Sequence, residues 1–247
     1  MDYIASCSFG KDSLAMVLKL IENHRPLDEV VFYDTGREFD AIYRNRDKLV
    51  KILNAEGIKY TELHPENSFD YYMFDHERTR RADGETIKGY QWCGGACRWG
   101  TRMKIDALDK YTKKAFVHYV GIALDEPERI ARLKSPKYAP LYHEWQMSEA
   151  ACLYYCYSHG WDWLEDGPDG KVELYQILDR VSCWCCANKN KKELYNIYKY
   201  LPHYWEKLKE IQARCDRPMK NYQDKAHGCY GNIFELEKVF MKGETNA

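Results

Sequence analysis

No apolar run in the chain is long enough to cross a membrane without a charged or turn-forming residue breaking it. No secretory leader is expected either: the first apolar segment is interrupted by Gly10-Lys11-Asp12, so the expected compartment is the cytoplasm. An excess of one charge is also lacking. Lys and Arg number 37 against 38 Asp and Glu, for a formal net charge of -1, whereas a general nucleic-acid coat protein is more basic. Nucleic acid is not excluded as a partner, but bulk charge does not call for it. Internal repeats and low-complexity tracts are absent, which argues against a solenoid and against global disorder. The glycine and lysine spacing of a Walker A loop is absent as well.

What is present begins at Tyr3. A short β-prone run, Tyr3–Cys7, enters the turn Ser8-Phe9-Gly10-Lys11-Asp12-Ser13 and leaves as an apolar helix over about 13–23. A helix N-terminus at the mouth of a strand offers free backbone N–H groups to phosphate. Gly10 lets the backbone approach an anion. Ser8 and Ser13 add hydroxyl donors, Lys11 adds a mobile cation, and Asp12 suits the helix start and a metal-bound water. The bland alternative is an ordinary strand–turn–helix with a capping side chain.

With 247 residues, 45% of them hydrophobic, the chain is large enough for one α/β domain and an appendage. Further strands are expected at 29–33, 58–63 and 114–120, with a helix over 40–56 and Gly57 at its C-cap. This alternation predicts a parallel twisted sheet with helices on both faces, and ligands beyond the carboxyl ends of its strands. Residues 66–96 read as an irregular polar insertion, 144–159 as a helix and Gly167–Gly170 as a turn. From Lys191 the chain reads as helical, with breaks at Pro202 and Pro218. The expected organisation is a nucleotide-binding domain over 1–182 and a cysteine-containing helical extension over 183–247. The basic clusters Arg78–Arg81, Arg129–Lys137 and Lys189–Lys192 read as solvated faces, and the 21 tyrosines and 7 tryptophans as packing residues.

The turn at Ser8 resembles the S-x-G-K-D-S pyrophosphate loop (PP-loop) of the adenine-nucleotide alpha-hydrolase superfamily. Val30 to Phe39 resembles the D-T-G-x-x-F segment of the phosphoadenosine phosphosulfate (PAPS) reductase family. Trp92-Cys93 through Cys97-Arg98 to Lys104 resembles that family's W-C…R…K region, and Gly121–Arg129 its G-x-R-x-D-E-S-x-R loop, with Ala123 and Pro127 as departures. Pro140-Leu141 followed by Trp145 resembles its P-L…W step. The matches keep the family's order over most of the chain.

The resemblance implies an α/β fold of the adenine-nucleotide alpha-hydrolase type and a set of roles. Ser8, Gly10, Lys11, Asp12 and Ser13 would hold phosphates, and Asp34, Thr35 and Gly36 would line the adenosine pocket. Arg98, Lys104, Gly121, Asp125, Glu126, Arg129 and Arg132 would surround the reacting end of the nucleotide. Lys11, Asp12, Lys104 and Arg129 are the catalytic candidates. Lys11 in the loop favours members that cleave ATP between its α and β phosphates. The expected reaction is therefore adenylylation of an acceptor with ATP and Mg2+, releasing pyrophosphate, in a sulfur-transfer setting. Two alternatives stay open: a thiol-dependent reductase of PAPS or adenylylsulfate, and a nucleotide-binding subunit of a DNA-modification or defence complex. The acceptor is unassigned, and a protein partner or self-association is compatible with every reading.

Ten cysteines in a reducing compartment point to thiols and metal ligands rather than disulfides. Cys93 and Cys97 form one short pair. Cys183 and Cys186, with Cys185 between them, form a C-x-x-C in a separate segment. Two such pairs suit a tetrahedral zinc ion or a four-cysteine iron–sulfur cluster. Assimilatory adenylylsulfate reductases place a cysteine pair and a distant C-x-x-C on a [4Fe-4S] cluster, so the resemblance puts that cluster ahead of Zn2+. Which of Cys183, Cys185 and Cys186 bind stays open. Cys229, in Ala226-His227-Gly228-Cys229, lacks the Glu and following His of the reductases' E-C-G-x-H tail and is expected to be structural. Cys152 and Cys156, four apart on a helix, are expected to pack inward.

Overall fold

The computed structural model describes residues 2–93, 95, 97–220, 222–224 and 228–242, the backbone alone over 222–224 and 228–230. The chain forms two compact units, each assembled from separated segments. The first comprises Met1–Asp34, Asp40–His64 and Lys104–Trp163; the second comprises Thr35–Phe39, Pro65–Met103 and Leu164–Ala247. The boundary expected at 182/183 falls inside the second unit.

The first unit is built on a five-stranded parallel sheet among the described residues. Its strand order is Lys59–Leu63, Glu29–Tyr33, Tyr3–Ser6, Val117–Val120 and Lys137–Tyr138. Ala5 sits between Val30 on one side and Tyr119 on the other. The strand Glu29–Tyr33 is buried along its whole length, as a parallel strand covered on both faces must be, and this explains the unbroken run Val30-Val31-Phe32. Its first residue, Glu29, is kept paired by the Tyr111 hydroxyl at 2.6 Å, Lys59 at 3.1 Å and the Thr61 hydroxyl. Strand order reverses beside Tyr3–Ser6: the chain goes to one neighbour through the first helix and reaches the other only after 117. Such a reversal opens a crevice at the carboxyl ends of the two strands.

The helix Lys11–Glu22 buries Leu14, Ala15, Val17 and Leu20 at helical spacing and packs on Glu149–Ser158. Cys152 and Cys156 on that second helix are fully buried. The helix Asp40–Ala55 ends as expected, with Gly57 at φ 70° and the Ile58 N–H returning to the Leu53 carbonyl at 2.9 Å.

Two starts differ from expectation by three residues or more. The helix expected from 144 starts at Glu149, because the Ser148 hydroxyl accepts from the Ala151 N–H and caps it there. The strand expected from 114 starts at Val117, because Thr112–Lys114 closes a tight 3-10 turn first.

In the second unit, residues 66–96 are more regular than expected: they contain the antiparallel hairpin Glu77–Thr79 with Thr86–Lys88. The Gly167–Gly170 turn joins the strands Leu164–Gly167 and Gly170–Glu173. The helix Lys191–Tyr200 starts on a capping box between Asn190 and Glu193, and Pro202 opens the next helix, Pro202–Ala213. Tyr204, Trp205, Leu208, Leu194, Ile197 and Leu236 are buried in the core of this unit. Lys189 is 2% exposed and Lys191 8%, so the cluster expected to be a solvated face turns two ammonium stems inward. No described helix is long and apolar enough to cross a membrane.

Gly121 closes the crevice from the side of Val117–Val120. A Cβ at this position would lie 2.7 Å from the Ser13 Cα and 2.8 Å from its nitrogen, both backbone atoms. Gly121→Ala is expected to destabilise the fold by about 1–3 kcal/mol, as overpacking against an immobile backbone does. Urea unfolding measures it, and an unchanged midpoint would show that the strand end moves aside freely.

Candidate functional site

The turn after the first strand is held by its own hydroxyls. The Ser13 hydroxyl donates to the Gly10 carbonyl at 3.1 Å and accepts from the Ser8 N–H at 3.1 Å, and the Ser8 hydroxyl lies 3.1 Å away. Phe9 adopts a left-handed backbone (φ 57°), which a bulky residue rarely does. Its ring is fully buried against Phe32 at 4.9 Å, and the Trp163 indole donates to its carbonyl at 2.8 Å. Local strain held in place by packing is typical of a loop shaped for a ligand. Gly10 begins the helix with no side-chain cap. A helix start without a side-chain cap turns the positive end of its dipole to the carboxyl edge of the sheet.

Above this turn lies a cavity of 340 Å³, lined by Ser8 and Ser13 from the loop, Gly121 from the adjoining strand end, and Lys104 and Arg129 as cations. The volume lies in the range of small-ligand sites. Lys104 also bears electrostatically on Cys7, whose burial pushes its thiol up to about 11 and leaves it inert.

The other predicted phosphate and nucleotide residues are placed as follows. The Lys11 ammonium lies 3.0 Å from Asp12 and 2.5 Å from Glu149. Burial alone would lower its pKa, but these two carboxylates outweigh it and raise it. Burial raises Asp12 in spite of Lys11. Asp125 accepts from the Glu149 N–H at 3.0 Å, and Glu126 pairs with Arg129 at 2.6 Å. Arg132 does not line this cavity. Its Nε donates to the Glu128 carbonyl, and it faces a separate cavity of 540 Å³. Asp34 is buried and accepts from the Tyr43 hydroxyl at 2.8 Å. It forms a group with Glu62 and His64 whose ligand atoms lie within 4.8 Å of one another. The i, i+2 spacing of Glu62 and His64, which puts both on one face of a strand end, was the available sequence signal for that group. Thr35, Gly36 and Arg98 belong to the second unit.

All the candidate ligand thiols also belong to the second unit. Cys97 precedes the turn Arg98–Arg102, and its sulfur accepts from the Gly100 N–H at 3.4 Å. A hydrogen bond from Cys97 pulls the Cys93 thiol down to about 6, with help from Arg217 and Arg78, while Cys97 is pushed up by sharing that proton. The two distant segments meet where Asn188 accepts from the Gly95 N–H at 2.8 Å and donates to the Gly95 carbonyl at 2.7 Å. The Cys183 sulfur lies 3.5 Å from the Thr35 hydroxyl and 3.7 Å from Glu38, and burial pushes its thiol up. Burial raises Cys185 as well. The Cys229 side chain lies outside the described residues.

Among the described residues, no three of these sulfurs lie within 4.8 Å of one another. A tetrahedral zinc ion with Zn–S of about 2.3 Å needs sulfurs about 3.8 Å apart, whereas a four-iron cluster spreads them wider. The surroundings suit an anionic centre. Lys189 is fully buried beside Cys183, Cys185 and Cys186, and Arg37 bears on Cys185. Arg37 Nε and Trp99 Nε1 are buried donors without an acceptor among the described residues. Both flank Phe69, with the Arg37 guanidinium 4.2 Å from its ring centre and the Trp99 ring 4.5 Å away. Sequence reasoning singled out neither donor, because nothing local marks an N–H as unpaired.

His118 lines the cavity of the first unit, but its role is structural. The Thr112 hydroxyl gives its proton to the Leu108 carbonyl at 2.8 Å, so at 3.1 Å it accepts from His118 Nδ1–H. His118 Nε2 then accepts from the Ser6 hydroxyl at 2.6 Å. The ring is thus held neutral, and burial lowers its pKa from 6.5 to about 4. The unfolded chain binds the extra proton between those values, so stability falls as pH drops from about 6.5 to about 4, by an amount on the order of 3 kcal/mol. His118→Gln is expected to flatten this slope in urea unfolding across that window. A slope equal to that of the parent would show that other groups carry it.

The phosphoadenosine phosphosulfate reductase domain matches residues 2–136. An uncharacterized protein of Methanocaldococcus jannaschii is 26% identical over 211 residues, which are 83% of this chain and 40% of that protein. The chain therefore spans less than half the length of this curated relative. Among solved structures, the U34-tRNA thiolase NcsA from Methanococcus maripaludis, with its [4Fe-4S] cluster, is similar at 14% identity and a TM-score of 0.42, over 100% of this chain and 72% of that one. The family match spans more than half of the chain and takes in the phosphate loop, the Asp34 turn and the Gly121–Arg129 loop: the chain belongs to the phosphoadenosine phosphosulfate reductase domain family.

Proposed function

We propose that the chain binds ATP in the first unit and adenylylates an acceptor with release of pyrophosphate. The observation that carries this reading is the uncapped helix start at Gly10, which opens under a cavity walled by Lys104 and Arg129. Backbone N–H groups there take the phosphate oxygens, and the two cations stabilise the charge that builds as the bond breaks. A nucleophilic oxygen of the acceptor attacks the α-phosphorus. The bond to the bridging oxygen of the β-phosphate breaks, pyrophosphate leaves with the electron pair, and the acceptor's proton passes to solvent. Magnesium, carried in with the triphosphate, offsets its charge. Asp12 would hold a metal-bound water, and Lys11 would exchange Asp12 and Glu149 for phosphate. The adenylylated acceptor is then open to displacement of AMP by a sulfide donor.

Cys93, Cys97, Cys183 and Cys186 would hold a [4Fe-4S] cluster. The orphaned donors of Arg37 and Trp99 and the buried ammonium of Lys189 support this assignment. Protein purified without oxygen is expected to be brown with about four irons per chain, and Cys97→Ser or Cys183→Ser to lose them. One zinc and no visible absorbance would reverse the assignment. Lys104→Ala is expected to slow pyrophosphate release about 10²–10³-fold. Absence of both ATP binding and pyrophosphate release with every acceptor tried would remove adenylylation.

One observation favours a second reading, thiol-dependent reduction of a sulfonucleotide: Cys93 and Cys97 are partly exposed thiols four residues apart, and Arg217 is held on the carbonyl of the residue before Cys93. The Cys93 thiolate would attack the sulfur and expel the adenosine phosphate. The Cys97 thiol would then release sulfite, leaving a disulfide for a dithiol reductant such as thioredoxin. Sulfite formation that is lost in Cys93→Ser would favour this over adenylylation.

A further inference from the structure

The second unit contains a cavity of 420 Å³ with a basic wall. Arg78, Arg80 and Lys88 reach it from the hairpin Glu77–Thr79 with Thr86–Lys88 and the residue after its first strand. Arg214 and Arg217 reach it from just beyond the helix Pro202–Ala213. Segments more than a hundred residues apart thus converge to concentrate one charge, although the chain as a whole carries -1. The Arg78–Arg81 cluster, expected to be a solvated face, is in part the wall of a concave site.

Two of these cations are already neutralised. Arg80 pairs with Glu85 at 2.6 Å and with Asp83, and Arg214 pairs with Asp70 at 2.9 Å. Among the described residues no carboxylate pairs with Arg78, Lys88 or Arg217. The two guanidiniums are instead fixed by carbonyls: Arg78 Nε donates to Gly89 at 2.9 Å and Arg217 Nη1 to Trp92 at 3.3 Å. Each keeps further N–H donors. Asp216 is the carboxylate on the wall, so an excess of positive charge remains. An excess of like charge gathered in one concavity marks the place of an anion.

The wall also carries aromatic faces. The Arg214 guanidinium sits 3.6 Å from the Phe74 ring centre, and the Arg78 guanidinium 5.6 Å from that of Tyr90. Tyr90 is backed by His76 at 5.0 Å between ring centres. Cations spread over two segments and interleaved with rings suit a phosphodiester backbone with unpaired bases.

We propose that this cavity binds single-stranded nucleic acid, with phosphodiester oxygens on Arg78, Lys88 and Arg217 and a base against Tyr90 or the Phe74–Arg214 pair. Arg217 is held on the carbonyl of Trp92, the residue before Cys93, so a bound strand lies beside that thiol. This deepens the reading above by naming the class of its acceptor and rests on that reading for the acceptor role alone, because the binding needs no ATP.

The test is fluorescence anisotropy of the full chain with labelled single-stranded RNA and DNA of about 12 nucleotides and one sequence, without ATP, over a range of salt. Binding is expected to weaken linearly in log salt. The triple variant Arg78→Gln, Lys88→Gln, Arg217→Gln is expected to lose about 2 from that slope, roughly 0.7 per contact, and at least tenfold in affinity. Its midpoint in urea unfolding is expected to match the parent's, which reports that the second unit folds, and its ATP binding in the first unit is expected to stay intact. Tighter binding of RNA than of DNA would assign a ribose hydroxyl contact, and equal binding a backbone contact, both within the proposal. Absence of binding at low salt, an unaltered triple variant, or displacement of the strand by AMP at lower concentration than by unlabelled strand would overturn it. Persistent strand binding without any pyrophosphate release would remove adenylylation and leave the nucleic-acid site standing.

Discussion

The indole of Trp163, donating to the carbonyl of Phe9, holds the turn on which the first unit depends. A left-handed backbone at a bulky residue costs about 1–2 kcal/mol, and a buried ring plus a buried hydrogen bond offset that cost. With Phe9 turned in, Gly10 is left at the surface of the crevice to start the helix. Ser8 and Ser13 then close the turn with their hydroxyls, and no side chain caps the helix start. Gly121 completes the arrangement from the next strand by having no side chain. The sheet contributes the place, since strand order reverses beside Tyr3–Ser6, and the side chains contribute the charge.

The second unit solves a different problem, that of keeping many thiols and cations together inside a small core. Burial raises the Cys183, Cys185 and Cys215 thiols, whereas Cys93 is drawn down by its neighbour Cys97. Lys189 is buried beside three cysteines, a position that burial alone disfavours. An ammonium there, with the unpaired donors of Arg37 and Trp99, is costly in an empty protein interior. The same groups are favourable around a centre that carries several thiolate charges.

Much of this architecture is legible in the order of residues. Strand–helix alternation, the apolar run Val30-Val31-Phe32 and the turn at Ser8 specify a parallel sheet with its ligand edge, because a covered parallel strand and a helix N-terminus each have a local signature. The i, i+4 pair Cys152 and Cys156 points inward for the same reason. Illegible were the features that depend on distant segments. Nothing near Arg78 says that Arg214 and Arg217 will stand opposite it, and nothing near Lys189 says that it will be buried. The start of the helix at Glu149 turned on one hydroxyl, that of Ser148, which periodicity does not register. The two-unit division was hidden because short pieces such as Thr35–Phe39 change unit within a single motif.

That interleaving bears on how such a protein is inherited. The chain leaves the first unit at residue 34, returns at 40, leaves again at 64, returns at 104 and leaves finally at 163. A gene fusion or truncation that breaks the chain at a single point cannot carry one unit away whole. The five residues Thr35–Phe39 tie the sheet's second strand to the thiol-bearing unit, so the two halves are transmitted together. Exchange of either unit alone would need at least two breaks in the chain.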